Sequence, residues 1–457
     1  MGAKGNRMID KYYNGVIEQV VSGIGNVEHN SILVRYSNDF SIWDLESVNH
    51  YKDQTDIFFT CHEFSYNKIA EAYEPYLGLI RQMFHKYCSG TLEEFMEECD
   101  VYKLQRPVFE SYFEKGFCER TEQILIDEVE YEQERMRNSI VTMLQKLSEI
   151  RPVVIVLNRF QLASKSTMQL SNSLLQVKNK NIGIVLGVND VQSIPEFAHE
   201  EWDAICESMD DRNMVYHIGN AGRNMEPDVM DYYSDYESDD GYRKLNNLVY
   251  FLDFDQANHH LSKIERRIKF DNFTISEKKH YQLLLLQIMV SVLQRDIAKA
   301  LESCEDLEKL QDQEKEGAFY YNFWMATSYM YLGKLEEAMI YVQKAKECGE
   351  ALGDDFLVFR AELLKAQNQM SGWCNIFFCA QDIEISDKLI EKLNAYHYKN
   401  HLAHIYIYAY DNKPEIVAKA YRSEAFLIYF SKGVALAKEI GNEQLISIAY
   451  RKNIMIA

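Results

Sequence analysis

The chain has 457 residues, 47% of them hydrophobic, and carries 49 Lys and Arg against 70 Asp and Glu, a formal net charge of −21. That length exceeds what one core ordinarily fills, so two or more domains are expected, and the apolar content excludes a disordered chain. Nucleic acid and anionic membrane surfaces are not expected as partners, because no basic stripe offsets the acidic field.

The first half alternates helix and strand signals. Residues 7–22 carry the spacing of an amphipathic helix. Five short apolar runs then read as strands: Ser31–Arg35, Asp56–Cys61, Pro152–Leu157, Asn181–Gly187 and Met214–Ile218. Between them, residues 66–87 and 91–149 have helical spacing. Continuous runs such as VVIVL and IGIVL are buried on both faces, which predicts a parallel sheet with helices on each side. Ligands of such sheets bind beyond the carboxyl ends of the strands. That rim holds residues 36–41, 158–164 and 188–190.

Three stretches carry a resemblance: HEFSYNKIAEAYEPYLGLIRQMF, RPVVIVLNRFQLASKSTMQLSNSLL and NIGIVLGVND. In their order they resemble the P-loop ATPase domain of the STAND class of signalling ATPases, which includes large bacterial regulators related to the maltose-regulon activator. The resemblance covers roughly residues 7–220. It implies a nucleotide site at Asn38, Asp39, Ser41, Asn158, Arg159 and Asn189. The catalytic elements of that family are missing. A phosphate-binding loop needs GxxxxGK[ST], whose backbone N–H groups and lysine surround the phosphates. The corresponding RYSNDFSIWDL has neither glycine nor lysine, and Asp39 and Asp44 add negative charge. Asn158 and Arg159 stand where two magnesium-holding acids are wanted, and Asn is a weak ligand for Mg²⁺. Phosphoryl transfer relies on phosphate positioning and charge stabilisation, so a pseudo-ATPase is expected. On this reading Asn158 and Arg159 are surface residues of a degenerate rim, the sheet serves as scaffold, and His217 is a core or rim histidine.

Residues 220–243 change character, with seven acids and no base between Arg223 and Arg243. Such a block is read as a solvated linker, here 221–245. From 246 onward the pattern is helices only. FWMATSYMYLGKLEEAMIYVQKAKECGEALG places Ala326, Tyr329, Gly333, Ala338 and Ala345 at the spacing of a tetratricopeptide unit, with weaker copies around Ala300 and around Ala425 and Gly441-Asn442. Residues 246–457 therefore resemble the tetratricopeptide-like repeats attached to STAND proteins. Such arrays present a concave surface to proteins, peptides or small effectors. Tyr320, Tyr321, Trp324, Tyr329 and Trp373 are the groove candidates, although aromatics at helical spacing are more often packing. His397, His401 and His404 share a helical spacing without an evident carboxylate partner, and no metal is assigned to them.

The nine cysteines are an odd number without a CxxC pair, which argues against a disulfide framework or a zinc site. No charged-then-apolar leader opens the chain, and the longest near-apolar run, Tyr281–Leu293, is too short to span a bilayer. A cytoplasmic protein is expected. The last residues, AYRKNIMIA, read as helix, so either a further segment or a partner is expected to cover them.

The fold expected is α/β then all-α: a degenerate P-loop NTPase-like parallel sheet over 1–220, then a tetratricopeptide-like α-solenoid over 246–457. The function expected is a non-catalytic signalling module without a cofactor, which binds a protein, peptide or small effector and can form oligomers. Two alternatives stand beside it: a STAND-type ATPase switch with a non-standard phosphate site, and a peptide-pheromone receptor.

Overall fold

The structure is a computed structural model that describes residues 2–26, 30–36, 42–52, 56–65, 68–118, 129–177, 179–189, 194–210, 214–218, 238–270, 274–371, 387–408 and 424–456. The chain forms two compact units. The first comprises residues 1–101, 108–118 and 130–265, and the second 102–107, 119–129 and 266–457.

All five expected strands form, each within two residues of its sequence position at the N-terminal end: β1 Ser31–Tyr36, β2 Phe58–Glu63, β3 Val153–Asn158, β4 Ile182–Asn189 and β5 Val215–Ile218. They make one wholly parallel sheet in the order β2-β3-β4-β1-β5. Every residue of β3 and β4 is buried, whereas β2, at one edge, is half-buried throughout. The helices of this unit are α1 Gly2–Gly23, α2 Glu46–Lys52, α3 Tyr76–Tyr87, α4 Leu92–Glu98, α5 Arg106–Lys115, α6 Val129–Ile150, α7 Lys165–Gln176, α8 His199–Asp210, α9 Asp239–Tyr250 and α10 Phe254–Phe270. The last of these, like α5, runs across the division between the units.

Two glycines set how closely α1 approaches the sheet. Gly183 and Gly187 lie on the same face of β4, four residues apart, so together they form a shallow groove. A Cβ on Gly183 would lie 2.7 Å from Val20 Cγ1, and one on Gly187 would overlap the Tyr13 hydroxyl and lie 2.7 Å from Asn158 Oδ1. Tyr13, Ile17 and Val20 are accordingly fully buried. α1 therefore runs antiparallel to the strands, with Tyr13 at their carboxyl ends.

Of the stretch 66–87, expected as one helix, residues 68–75 are not helical and the helix begins at Tyr76. Tyr73 has φ +55°, in the left-handed region, and a proline at 75 disfavours the helical region for Glu74. Residues 221–237 of the expected linker lie outside the described residues. Its end, 238–245, is the cap and first half of α9: Ser238 accepts from the Gly241 N–H at 2.9 Å, and the acids Asp239 and Asp240 sit in the first turn. α9 belongs to the α/β unit, with Leu245, Leu248 and Val249 fully buried.

In the second unit the remaining helices are α11 Glu277–Leu293, α12 Ile297–Lys309, α13 Gly317–Tyr331, α14 Leu335–Leu352, α15 Asp355–Ser371, α16 Asp387–Ala395, α17 Lys399–Tyr408, α18 Glu424–Ile440 and α19 Glu443–Ile456. Successive helices pack on one another, as stacked helix pairs do. The small residues expected at close crossings are there: Ala300, Ala326, Ala338 and Ala345 are all fully buried. Gly333 turns α13 into α14 at φ +72°, and Gly441 turns α18 into α19 at φ +75°. Asn442 then caps α19 by accepting from the Leu445 N–H at 2.8 Å, while its amide donates to Asn400 Oδ1 at 2.9 Å. Among the described residues no helix is long and apolar enough to cross a membrane.

The glycine groove is open to test. Gly187→Ala should destabilise the α/β unit by about 1–3 kcal/mol through overpacking. Adding Tyr13→Phe should recover a measurable part of that loss, since it removes the nearest atom. Urea titration of the four proteins in the cycle gives the coupling, and strictly additive losses would mean that Tyr13 does not set the groove.

Candidate functional site

The rim at the carboxyl ends of the strands is where a parallel sheet of this kind holds ligands. The crossover from β1 runs toward β2 and that from β4 runs toward β5, so the chain diverges at the β1–β4 pair. Three side chains fill the space there. Tyr36 ends β1, Asn158 ends β3 and Tyr13 descends from α1, and they are 1%, 0% and 0% exposed. The Tyr36 hydroxyl donates to Asn158 Oδ1 at 2.8 Å. Asn158 Nδ2 is buried and finds no acceptor among the described residues. Burial, followed by the charge of Tyr36, pushes the Tyr13 hydroxyl well above its ordinary range, so it stays neutral.

Asn158 is thus no surface residue, as the sequence reading had it. It belongs to the core, because the apolar run of β3 continues into a turn that folds inward rather than into solvent. Arg159 follows at φ +54°, a left-handed conformation that costs an ordinary side chain roughly 1–2 kcal/mol. The bend sends Phe160 and Gln161 into the interior, where both are fully buried. Phe160 meets Phe64 and Trp202, and Gln161 Oε1 accepts the Asn189 N–H at 3.2 Å. Asn189, a candidate at the end of β4, is 4% exposed. Arg159 reaches sideways to β2, where its Nη1 lies 3.6 Å from Glu63 Oε1. Its charge is therefore matched within the rim. Asn38, Asp39 and Ser41 lie outside the described residues. His217 is exposed on β5, at the rim rather than in the core.

The rim has a second part that sequence reasoning missed. The loop before α3 is fastened to the start of α7 by hydroxyls. Ser164 Oγ donates to the Glu71 carbonyl at 2.8 Å, Thr167 Oγ1 donates to the Glu74 carbonyl at 3.0 Å, and the Tyr73 N–H donates to Ser166 Oγ at 3.2 Å. Asp253 accepts from the Ser166 N–H at 2.8 Å and from the Gln256 N–H at 3.3 Å. One buried carboxylate so serves the first turns of both α7 and α10, where the helix dipole favours it. Burial raises its pKa, and those same N–H groups pull it back down.

Glu71 and Glu74 are two further perturbed carboxylates of the rim. Burial, then the neighbouring Glu74, pushes Glu71 up to about 7, against a hydrogen bond from Asn247 Nδ2 at 2.9 Å. Burial also raises Glu74, whose Oε2 accepts the Glu71 N–H at 3.1 Å. His62 Nε2 stands 3.4 Å from Glu74 Oε1, but burial holds the imidazole down at about 4, so it meets Glu74 as a neutral ring. Perturbed carboxylates in a cleft are a mark of catalysis. Here each has protein partners that tie a loop to a helix, which is a structural use. Serines and threonines at the head of an amphipathic helix, STMQLSNSLL, are the sequence signal by which this fastening could have been found.

Of the groove candidates, Trp324 is 6% exposed and belongs to the core of the second unit. Tyr320, Tyr321 and Tyr329 are half-buried and pack against that core. Arg360 lies 5.7 Å from the Tyr320 ring, and Tyr329 stacks on Tyr341 at 5.6 Å. Trp373 lies outside the described residues. His401 is buried against Tyr398, whereas His397 is exposed at a turn. Among the described residues no three His, Cys, Asp or Glu come together as a metal site.

No family model matches the chain, and no curated protein does. Among solved structures it is similar to a Signal Transduction ATPase with Numerous Domains protein with a tetratricopeptide repeat sensor from Pyrococcus horikoshii. The identity is 13% over 94% of this chain and 78% of that one, with a TM-score of 0.38. At that level nothing is carried over from it to this chain.

Glu71 gives the site a pH signature. Its folded pKa of about 7 lies above the ordinary 4.5. The folded state therefore binds the proton more tightly, and the stability this contributes is complete below pH ~4.5 and lost as pH rises through ~7. Glu71→Gln keeps an acceptor for Asn247 and removes the titration. It should gain about 2–3 kcal/mol over the parent at pH 8 and almost nothing at pH 4.5, measured by urea titration at both values. An equal difference at the two pH values would mean that Glu71 is not proton-linked to folding.

Proposed function

We propose that this chain is a non-catalytic signalling or regulatory module, in which the α/β unit is a pseudo-ATPase scaffold and the helix array binds a protein, a peptide or a small effector. The observation that carries this reading is the filled rim. Tyr13, Tyr36 and Asn158 occupy the point of divergence, and Arg159 is paired with Glu63. Magnesium needs charged oxygens, and the end of β3 offers an amide that is already hydrogen-bonded to a tyrosine. The stacked helix pairs support the binding half of the proposal, since such arrays work through extended surfaces.

A second reading, a nucleotide switch with a non-standard phosphate site, draws on one observation: the Asn158 amide nitrogen lacks an acceptor among the described residues. Isothermal titration of the whole chain with ATP and ADP, with and without magnesium, separates the two. No heat of binding at millimolar nucleotide is expected. Micromolar binding would sink the scaffold reading and favour the switch.

A companion variant asks whether the acid alone is missing. Asn158→Asp puts a carboxylate back at the end of β3, in a fully buried position. It should yield no ATP hydrolysis and should lower stability by about 1–3 kcal/mol at pH 8, because a buried charge without a counterion is costly. The loss should shrink on acidification, as the raised pKa of a buried carboxyl lets it protonate. Measurable turnover in a phosphate-release assay would overturn the proposal.

A further inference from the structure

The α/β unit has a cleft of about 790 Å³ at its β2 edge. Its floor is the strand edge itself. Residues 57–61 line it consecutively. Neighbouring residues of a strand point to opposite faces, so five in a row can share one cleft only where the strand is seen edge-on. The ring contacts agree: Phe58 packs on Tyr87 of α3, while Phe59 packs on Tyr51 of α2. One wall of the cleft is α2 with Trp43 just before it, and the other is α3.

The register shows what the floor offers. The Phe58 N–H donates to the Pro152 carbonyl at 2.8 Å, and the Phe64 N–H donates to the Asn158 carbonyl at 3.0 Å. Even-numbered residues of β2 therefore point their backbone groups toward β3. The N–H and C=O groups of Phe59 and Cys61 point outward, and among the described strands none pairs with them. A row of this kind is a template for one more strand.

The walls select its charge. Lys52 stands on one, and Arg81, His85 and Lys86 stand on the other. None of the residues lining the cleft carries a carboxylate. Arg81 donates to the Glu114 carbonyl at 3.3 Å, and the Lys86 ammonium lies 5.3 Å from the Tyr87 ring. Neither contact neutralises the cation. A carboxylate-free cleft with three cations is unexpected on a chain with a net charge of −21. Trp43, 50% exposed at the mouth, adds an apolar contact.

We propose that the β2 edge is a docking groove for an extended acidic peptide, which adds as a sixth strand and sets its carboxylates against Lys52, Arg81 and Lys86. Backbone pairing supplies length-dependent affinity, and the cationic walls supply selection, as in other cases of strand addition. Six residues of edge span about 20 Å, enough for a segment of roughly seven residues.

The test uses the full chain and three fluorescein-labelled heptapeptides, read by fluorescence anisotropy. The first alternates Glu and Val, the second alternates Lys and Val, and the third is the Glu-Val peptide N-methylated on every residue. The acidic peptide should bind at micromolar concentration and the basic one should not. N-methylation should weaken binding tenfold or more, because it removes the N–H donors from both edges of the added strand. The Lys52→Glu/Lys86→Glu variant, whose two changes are at exposed positions, should also weaken it tenfold or more, with an unchanged melting curve as the folding control. Three outcomes with the peptides overturn the proposal: no binding of the acidic peptide, equal binding of the N-methylated peptide, or binding unaffected by charge reversal. AMP bound more tightly than the peptide, and lost in the double variant, would also overturn it and assign the cleft to a small anionic aromatic ligand.

Discussion

The α/β unit depends on how closely α1 lies against β4. That approach requires a groove without side chains, and Gly183 and Gly187 provide it on one face of a strand whose other positions are buried and mostly aliphatic. Burial of Tyr13, Ile17 and Val20 against the sheet is a large apolar gain, at ~25 cal/mol for each Å² removed from water. The same closeness drives the tyrosine hydroxyl down among the strand ends. Steric fit at two glycines thus decides what occupies the region where a parallel sheet would ordinarily receive a ligand.

The rest of the rim is consistent with that constraint. With Tyr13 and Tyr36 in place, β3 cannot end in a free carboxylate without leaving a buried charge, and it ends in an amide that accepts from Tyr36. Arg159 turns away in a left-handed bend and finds Glu63, which spares both a solvent-excluded charge. Farther along, Glu71, Glu74 and Asp253 are committed to hydrogen bonds that fasten a loop and two helix starts. These polar groups hold the loop and the helix starts together, and their shifted pKa values follow first from burial.

The sheet was legible in the sequence because strands buried on both faces leave no room for polar residues, so VVIVL and IGIVL read as strands at once. The turns at Gly333 and Gly441 were legible because a positive φ wants glycine. Residues 68–75 read as helix in the sequence and are not, since apolar spacing alone does not register the left-handed Tyr73. Asn158 reads as a surface residue in the sequence and is fully buried in the structure. It shares the space beside Gly187 with Tyr13, distant in the chain, and no local pattern reports that. Likewise, the order of the strands is a long-range fact. Nothing in FFTCHE says that it lies at an edge, although its polar Thr60, His62 and Glu63 fit the half-buried position it takes.

Edge strands are a hazard in a soluble protein, and chains commonly blunt them with charge, proline or a covering segment. Here α2 and α3 flank the edge on both faces and place cations beside it. Cations at an edge deter pairing with a second copy of the same strand, because Lys52, Arg81 and Lys86 would meet their own counterparts. They do not deter an acidic strand. The same residues that protect β2 from self-association therefore leave it selective for one kind of partner. Protection and recognition at this edge have a common electrostatic origin, which separates the β2 cleft from the filled rim: the charge of Arg159 on the rim is matched by Glu63, while the cations of the edge have no carboxylate among the residues that line the cleft.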